Sequence, residues 1–134
     1  MSAGSDVDYL TLDDLLEIAA GVLGEVQLRD LGLLASAAGR PAMTAFGEAA
    51  YPTFVDKAAA LMHSLARNHP LVDGNKRLAW SATRAFCLLN GHDMRCQVDA
   101  AEAFVLAVAA GELDVPEMAL WLQDHLVEDD AVHG

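Results

Sequence analysis

The sequence predicts an all-α fold, a compact single-domain bundle of about six helices. Alanine and leucine, both good helix formers, are abundant. Apolar residues return at three- and four-residue intervals in several segments, and glycine and proline separate those segments. No stretch of strand period has convincing length, the best being a minor one at 93–98. At 134 residues the chain can bury a core without staples, and one domain spanning 1–134 is expected. The ends, 1–8 and 128–134, read as loose and acidic.

Thr11 with Asp14 forms a capping pair, and Leu12, Leu15, Leu16, Ala19, Val22 and Leu23 follow at helical spacing until Gly24. Residues 25–50 are less regular, with Arg40-Pro41 as a breaker. Residues 40–50 are expected to form a mobile loop with an apolar tip around Met43, Phe46 and Gly47. Pro52 suits the first turn of the next helix, whose stripe is Phe54, Val55, Ala58, Leu61, Met62 and Leu65. Asp56, Lys57 and Arg67 should face solvent there, and Pro70 stops the helix near Asn68. Gly74 or Asn75 opens the following helix, with Leu78, Ala79, Ala82, Ala85, Phe86 and Leu89 on one face and Asn90-Gly91 at its end. Trp80 and Cys87 widen that surface, so this helix should be central. An extended link at 92–98 leads to a helix opened by Asp99 and Glu102 and ended by Gly111. Asp114 and Pro116 start the last, through Met118, Trp121, Leu122 and Leu126.

A formal charge of −12 opposes direct nucleic-acid binding, which needs a positive surface; it suits solubility or a basic partner. Apolar windows carry charges, so no membrane span is expected. Residues 1–8 lack the layout of a secretion signal, which makes the cytoplasm the expected location. The two cysteines, Cys87 and Cys96, form no disulfide framework and have no paired ligands for zinc.

The chemistry concentrates in His69-Pro70-Leu71-Val72-Asp73-Gly74-Asn75-Lys76-Arg77. The first amides of a helix form an anion site, and Gly74 admits close approach of a ligand. Lys76 and Arg77 sit where the helix dipole already has positive sign, a local conflict that a bound polyphosphate resolves. Asp73 is a hard oxygen ligand of the kind magnesium shares with phosphates. His69 can take a proton near neutral pH. Singly these residues have ordinary roles: a surface imidazole, a helix cap, a solvated face, a turn. Leu71 serves as a core anchor under either reading. In this order, within nine residues, they read as base, metal ligand and phosphate clamp.

This stretch resembles the signature of the Fic/Doc superfamily, His-Pro-Phe-x-(Asp/Glu)-Gly-Asn-(Gly/Lys)-Arg. Lys76 in the eighth position is similar to the Doc, or death-on-curing, branch of toxin–antitoxin toxins. The likeness extends over 9–127, through Tyr9-Leu10-Thr11, Arg29-Asp30, Gly32-Leu33-Leu34, Arg40-Pro41 to Tyr51-Pro52, and Lys57 to Leu61. The resemblance implies a Fic/Doc fold with the motif between two central helices, and it implies ATP and Mg2+. By position, His69 is the general base, Asp73 the magnesium ligand, and Gly74, Asn75, Lys76 and Arg77 hold phosphates. Arg67 and Ser81 are further candidates for nucleotide contact, and 40–50 matches the flap that aligns a target segment by backbone pairing. Relatives with glycine in the eighth position transfer AMP; Doc relatives with lysine phosphorylate a threonine of elongation factor Tu and halt translation. Leu71 replaces the usual phenylalanine, and Trp80 stands where AMP-transferring relatives carry a second arginine, in keeping with the kinase reading. The spacing of an internal inhibitory motif occurs at Thr44 to Glu48, but Ala49 follows instead of Gly or Asn. Inhibition is therefore expected in trans, by the C-terminal segment of a cognate antitoxin laid in a groove. The alternatives are an adenylyltransferase, or an antitoxin-binding module with weak catalysis.

Overall fold

A computed structural model describes residues 7–129. It is all-α: α1 (Leu12–Leu23), α2 (Leu31–Gly39), α3 (Phe54–Asn68), α4 (Asn75–Leu89), α5 (Val98–Ala109) and α6 (Val115–His125). A 3-10 turn, Arg40–Ala42, and a short hairpin of β1 (Thr44–Ala45) and β2 (Glu48–Ala49) join α2 to α3. β3 (His92–Met94) pairs antiparallel with β4 (Leu126–Glu128), fastening the end of α6 beside the end of α4.

The helix starts follow their caps. Thr11 and Asp14 close a capping box on α1, and Gly24 ends it with φ +77°. Thr53 and Asp56 do the same for α3, so Pro52 lies just before the helix rather than in its first turn. Asp114 and Glu117 cap α6, with Pro116 inside the first turn. α5 begins at Val98, one residue before the expected Asp99. α2 is a helix where the sequence reads as irregular; Asp30 accepts the Leu33 N–H at 3.1 Å and starts it.

α3 packs against α2, α4, α5, α6 and the 3-10 turn. It, not α4, is the most enclosed helix: Ala58, Ala59, Ala60, Leu61, Met62, Leu65 and Ala66 are all buried. The small alanine side chains let neighbours approach on several sides. Leu15, Leu34, Leu78, Phe86, Val108, Met118 and Leu122 complete one continuous core, each large apolar side chain contributing about 1.5–3 kcal/mol. Two sequence expectations fail here. Lys57 is buried at 3 % exposure, because its amine turns back to donate to the Tyr51 carbonyl. Leu89, expected on the inner face of α4, is exposed, whereas Thr83 and Cys87 are buried.

Of the expected loose ends, 1–6 and 130–134 lie outside the described residues. Asp8 is tied to Asn90, its N–H donating to Oδ1 at 2.8 Å and its carbonyl accepting from Nδ2 at 2.9 Å. An aromatic stack holds α6 against α5: the Trp121 ring lies 3.9 Å from Phe104 and 3.8 Å from His125, with Trp80 of α4 edge-on at 6.4 Å. Among the described residues no helix is long and apolar enough to cross a membrane.

Candidate active site

The nine-residue stretch is the connection between α3 and α4. α3 ends at Asn68, and His69 takes the left-handed conformation, φ +52° and ψ +62°. An unbranched polar residue tolerates that region better than most, yet it is still an uncommon place for a side chain. The turn is held from outside by the segment before α2. Arg29 donates through Nε to the His69 carbonyl at 2.6 Å and through Nη2 to the Asn68 carbonyl at 2.7 Å. The Pro70 carbonyl accepts the N–H groups of Arg29 and Asp30, and Val72 N–H donates to the Gln27 carbonyl at 2.9 Å. Leu28 and Leu71 form an isolated antiparallel bridge, with Leu71 anchored in the core. The imidazole of His69 itself is left exposed on this fixed backbone.

Asn75 locks the other side of the turn. Its Oδ1 accepts the Leu71 N–H and its Nδ2 donates to the Leu71 carbonyl, both at 2.9 Å in a buried setting. The Asn75 side chain therefore shapes the loop, and its backbone N–H is what remains at the helix start. Gly74 has φ +87°, and a Cβ there would stand 2.7 Å from the side chain of Leu23. Its smallness thus accommodates the end of α1 as well as the turn.

No side chain caps α4, its first turn contains no acid, and Lys76 and Arg77 are exposed in it. Arg77 Nη2 donates to the Val22 carbonyl at 3.0 Å, one of the unsatisfied carbonyls ending α1. Arg77 lines two adjoining hollows. The smaller, about 300 Å³, is formed by Leu23, Glu25, Gln27, Asp73, Gly74 and Arg77. The larger, about 670 Å³, lies between α4 and α5; Lys76, Trp80, Ser81 and Arg84 form one wall, and Val98, Val105 and Leu106 belong to the other. Arg84 closes its rim by a two-pronged pair with Asp93, 3.0 Å at Nε, which holds the Asp93 carboxyl below its usual range. Cys96 also lines this hollow, and burial pushes its thiol up, so it is a poor nucleophile. Burial pushes the core thiol of Cys87 up to about 12.

Asp73, Gly74, Lys76, Arg77 and Ser81 thus border two hollows that share Arg77, while His69 stands on the surface at the same turn. Arg67 is directed elsewhere: its guanidinium faces Asp114 at 3.8 Å and His63 at 3.5 Å, beside Gly111 on the α5–α6 connection. Sequence reasoning assigned no role to Arg29, Glu25 or Gln27. Their contribution depends on contacts across some forty residues, and only the Arg29-Asp30 pair hinted at it.

Asp73 accepts the Gly74 N–H through Oδ1 at 2.9 Å, and its carboxylate lies beside the start of α4 and its two cations, with Glu25 a second carboxylate on the same hollow. Among the described residues no group of three or more His, Cys, Asp or Glu could enclose a metal. That donor set fits a cation completed by substrate phosphates and water, as magnesium is, and not one caged by protein.

A helical bundle presenting this turn at an uncapped helix start belongs to a known class: the chain is a member of the Fic/Doc family, whose profile matches residues 9–87. It is similar to a protein of Mycolicibacterium smegmatis named Toxin Doc, 47% identical over 117 residues that cover 84% of this chain and 88% of the relative.

Proposed function

We propose that the chain is the toxin of a toxin–antitoxin pair, a protein kinase that phosphorylates a threonine hydroxyl of elongation factor Tu and so stops translation in the cytoplasm. The observation that carries this reading is Lys76 with Arg77 at the open start of α4, beside the Asp73 carboxylate and within one loop of His69. The name of the similar Mycolicibacterium protein supports the toxin assignment. ATP with magnesium supplies the phosphoryl group. Asp73 would hold the ion, and the α4 amides with Gly74, Lys76 and Arg77 would hold phosphate oxygens. Asn75 contributes its N–H and keeps the turn closed through its side chain. Ser81 lines the larger hollow and would touch a nucleotide bound there; Arg67, turned toward Asp114, is the weaker candidate. His69 takes the proton of the acceptor hydroxyl as its oxygen bonds to phosphorus and the bridging bond to ADP breaks.

The antitoxin would lay a C-terminal segment in the groove between α4 and α5, where apolar walls are edged by Lys76, Arg77 and Arg84. The test is to incubate the chain with ATP, magnesium and elongation factor Tu and weigh the target. A phosphate-sized gain is expected. An AMP-sized gain would make it an adenylyltransferase, and an unchanged mass with tight antitoxin binding would make it a binding module.

A further inference from the structure

The hairpin 44–49 is exposed throughout; its two-residue turn has Phe46 (φ +54°) and Gly47 (φ +82°) both left-handed, with a phenylalanine where such turns favour Asn, Asp or Gly, and the Phe46 side chain is fully exposed. Its ladder is only two residue pairs long, Thr44 with Ala49 and Ala45 with Glu48. Its base is built very differently. Arg40, on the leg entering the hairpin, donates through Nε to the Tyr51 hydroxyl at 2.8 Å, and its guanidinium lies 5.3 Å from the Tyr51 ring centre. Arg40 Nη1 reaches α3, meeting Ser64 Oγ at 3.0 Å, His63 Nδ1 at 2.9 Å and the Ala60 carbonyl at 3.4 Å. The leg leaving the hairpin is held by Lys57, whose buried amine donates to the Tyr51 carbonyl. The Ala50 N–H donates to the Met43 carbonyl at 2.9 Å and closes the frame between them.

Burial first, then the positive charges of Arg40 and Arg67, lower the His63 pKa. A neutral imidazole carrying its proton on Nε2 leaves Nδ1 able to accept a hydrogen bond from Arg40. Cations are costly to bury, and apolar packing would fasten an ordinary loop more cheaply. Directional bonds instead fix an angle, and here they fix it against α3, the helix whose last turn leads directly into His69.

We propose that Arg40, with Lys57, is a positioning residue that sets the hairpin relative to His69, so that an acceptor segment laid along the hairpin brings its hydroxyl to the imidazole. The inference rests on the transferase reading above. It requires Arg40 to act through the acceptor, not through the nucleotide.

Arg40→Ala, Arg40→Lys and the milder Tyr51→Phe, which removes only the hydroxyl, test it. Arg40→Ala is expected to raise KM for the protein acceptor about tenfold, the scale of a modest misplacement, while kcat and KM for ATP change less than about twofold. Arg40→Lys should recover part of that loss and Tyr51→Phe should show a smaller one. Hydrogen exchange at 43–51 should quicken in Arg40→Ala while α1 and α4 keep their protection. Unchanged acceptor KM, or equal losses in both substrates with no rescue by lysine, would overturn the positioning role. If the wild-type chain modifies no acceptor, the transferase reading fails; exchange then decides on the clasp, and unaltered exchange at 43–51 rejects it.

Discussion

α3 and α4 are each fifteen residues long and pack side by side, yet they begin in opposite ways. α3 obeys the rules of a helix start: Thr53 Oγ1 accepts the Asp56 N–H at 3.1 Å, Asp56 returns the bond, and its charge complements the dipole. α4 breaks them, with a glycine at the cap, no acid in the first turn and two cations. With glycine at the cap, the forgone side-chain bond costs roughly a few tenths of a kcal/mol. What holds α4 instead comes from elsewhere in the chain: Asn75 bonds the Leu71 backbone, and Arg77 bonds the end of α1. The contrast teaches that one helix spends its first turn on its own stability, while the other is braced from outside so that its first amides stay available.

The largest effect should come from the turn between the two helices. His69→Ala is expected to lower target modification by a hundredfold or more, about what a positioned base contributes, with only a small fall in the unfolding midpoint because alanine suits the left-handed backbone of residue 69 less well. Rates on the acceptor and a thermal melt check this, and a variant that still arrests growth would remove His69 from the mechanism. Next, Asn75→Ala strips two buried backbone groups of their partners and should cost about 2–4 kcal/mol in denaturant unfolding. A loss below that of a cap would mean that α4 is not braced as described. Thr53→Ala should cost only about 1 kcal/mol and leave activity intact, because it touches the rule-abiding start. The smallest stability change gives the sharpest test. Lys76→Glu should stabilise the fold by roughly 0.3–1 kcal/mol while abolishing nucleotide binding, read by calorimetry with Mg-ATP. A destabilised Lys76→Glu variant would erase the contrast.

The same contrast governs what was legible in the sequence. α1, α3, α4 and α6 could be bounded because their caps are local: Thr11 with Asp14, Pro70 after Asn68, Asn90-Gly91, and Asp114 with Pro116. α2 was hidden because its small residues, Ala35 to Gly39, give little contrast between faces, and because Leu31 is exposed; Asp30 was its one clear signal. The hairpin is too short for alternation to register, and Phe46 stands where such turns usually carry Asn, Asp or Gly. The motif's chemistry was readable from residue type and order. The inward turn of Asn75, the Arg29 cradle and the buried Lys57 were not, since each depends on a partner that folding alone brings near.

The chain has two tryptophans, and the fold stands them together, Trp80 on the wall of the α4–α5 hollow and Trp121 in the aromatic stack behind it. Their emission therefore reports from a single neighbourhood. An occupant entering that hollow would meet one indole directly and perturb the other through it, so the protein carries an optical gauge for its own groove that needs no added dye.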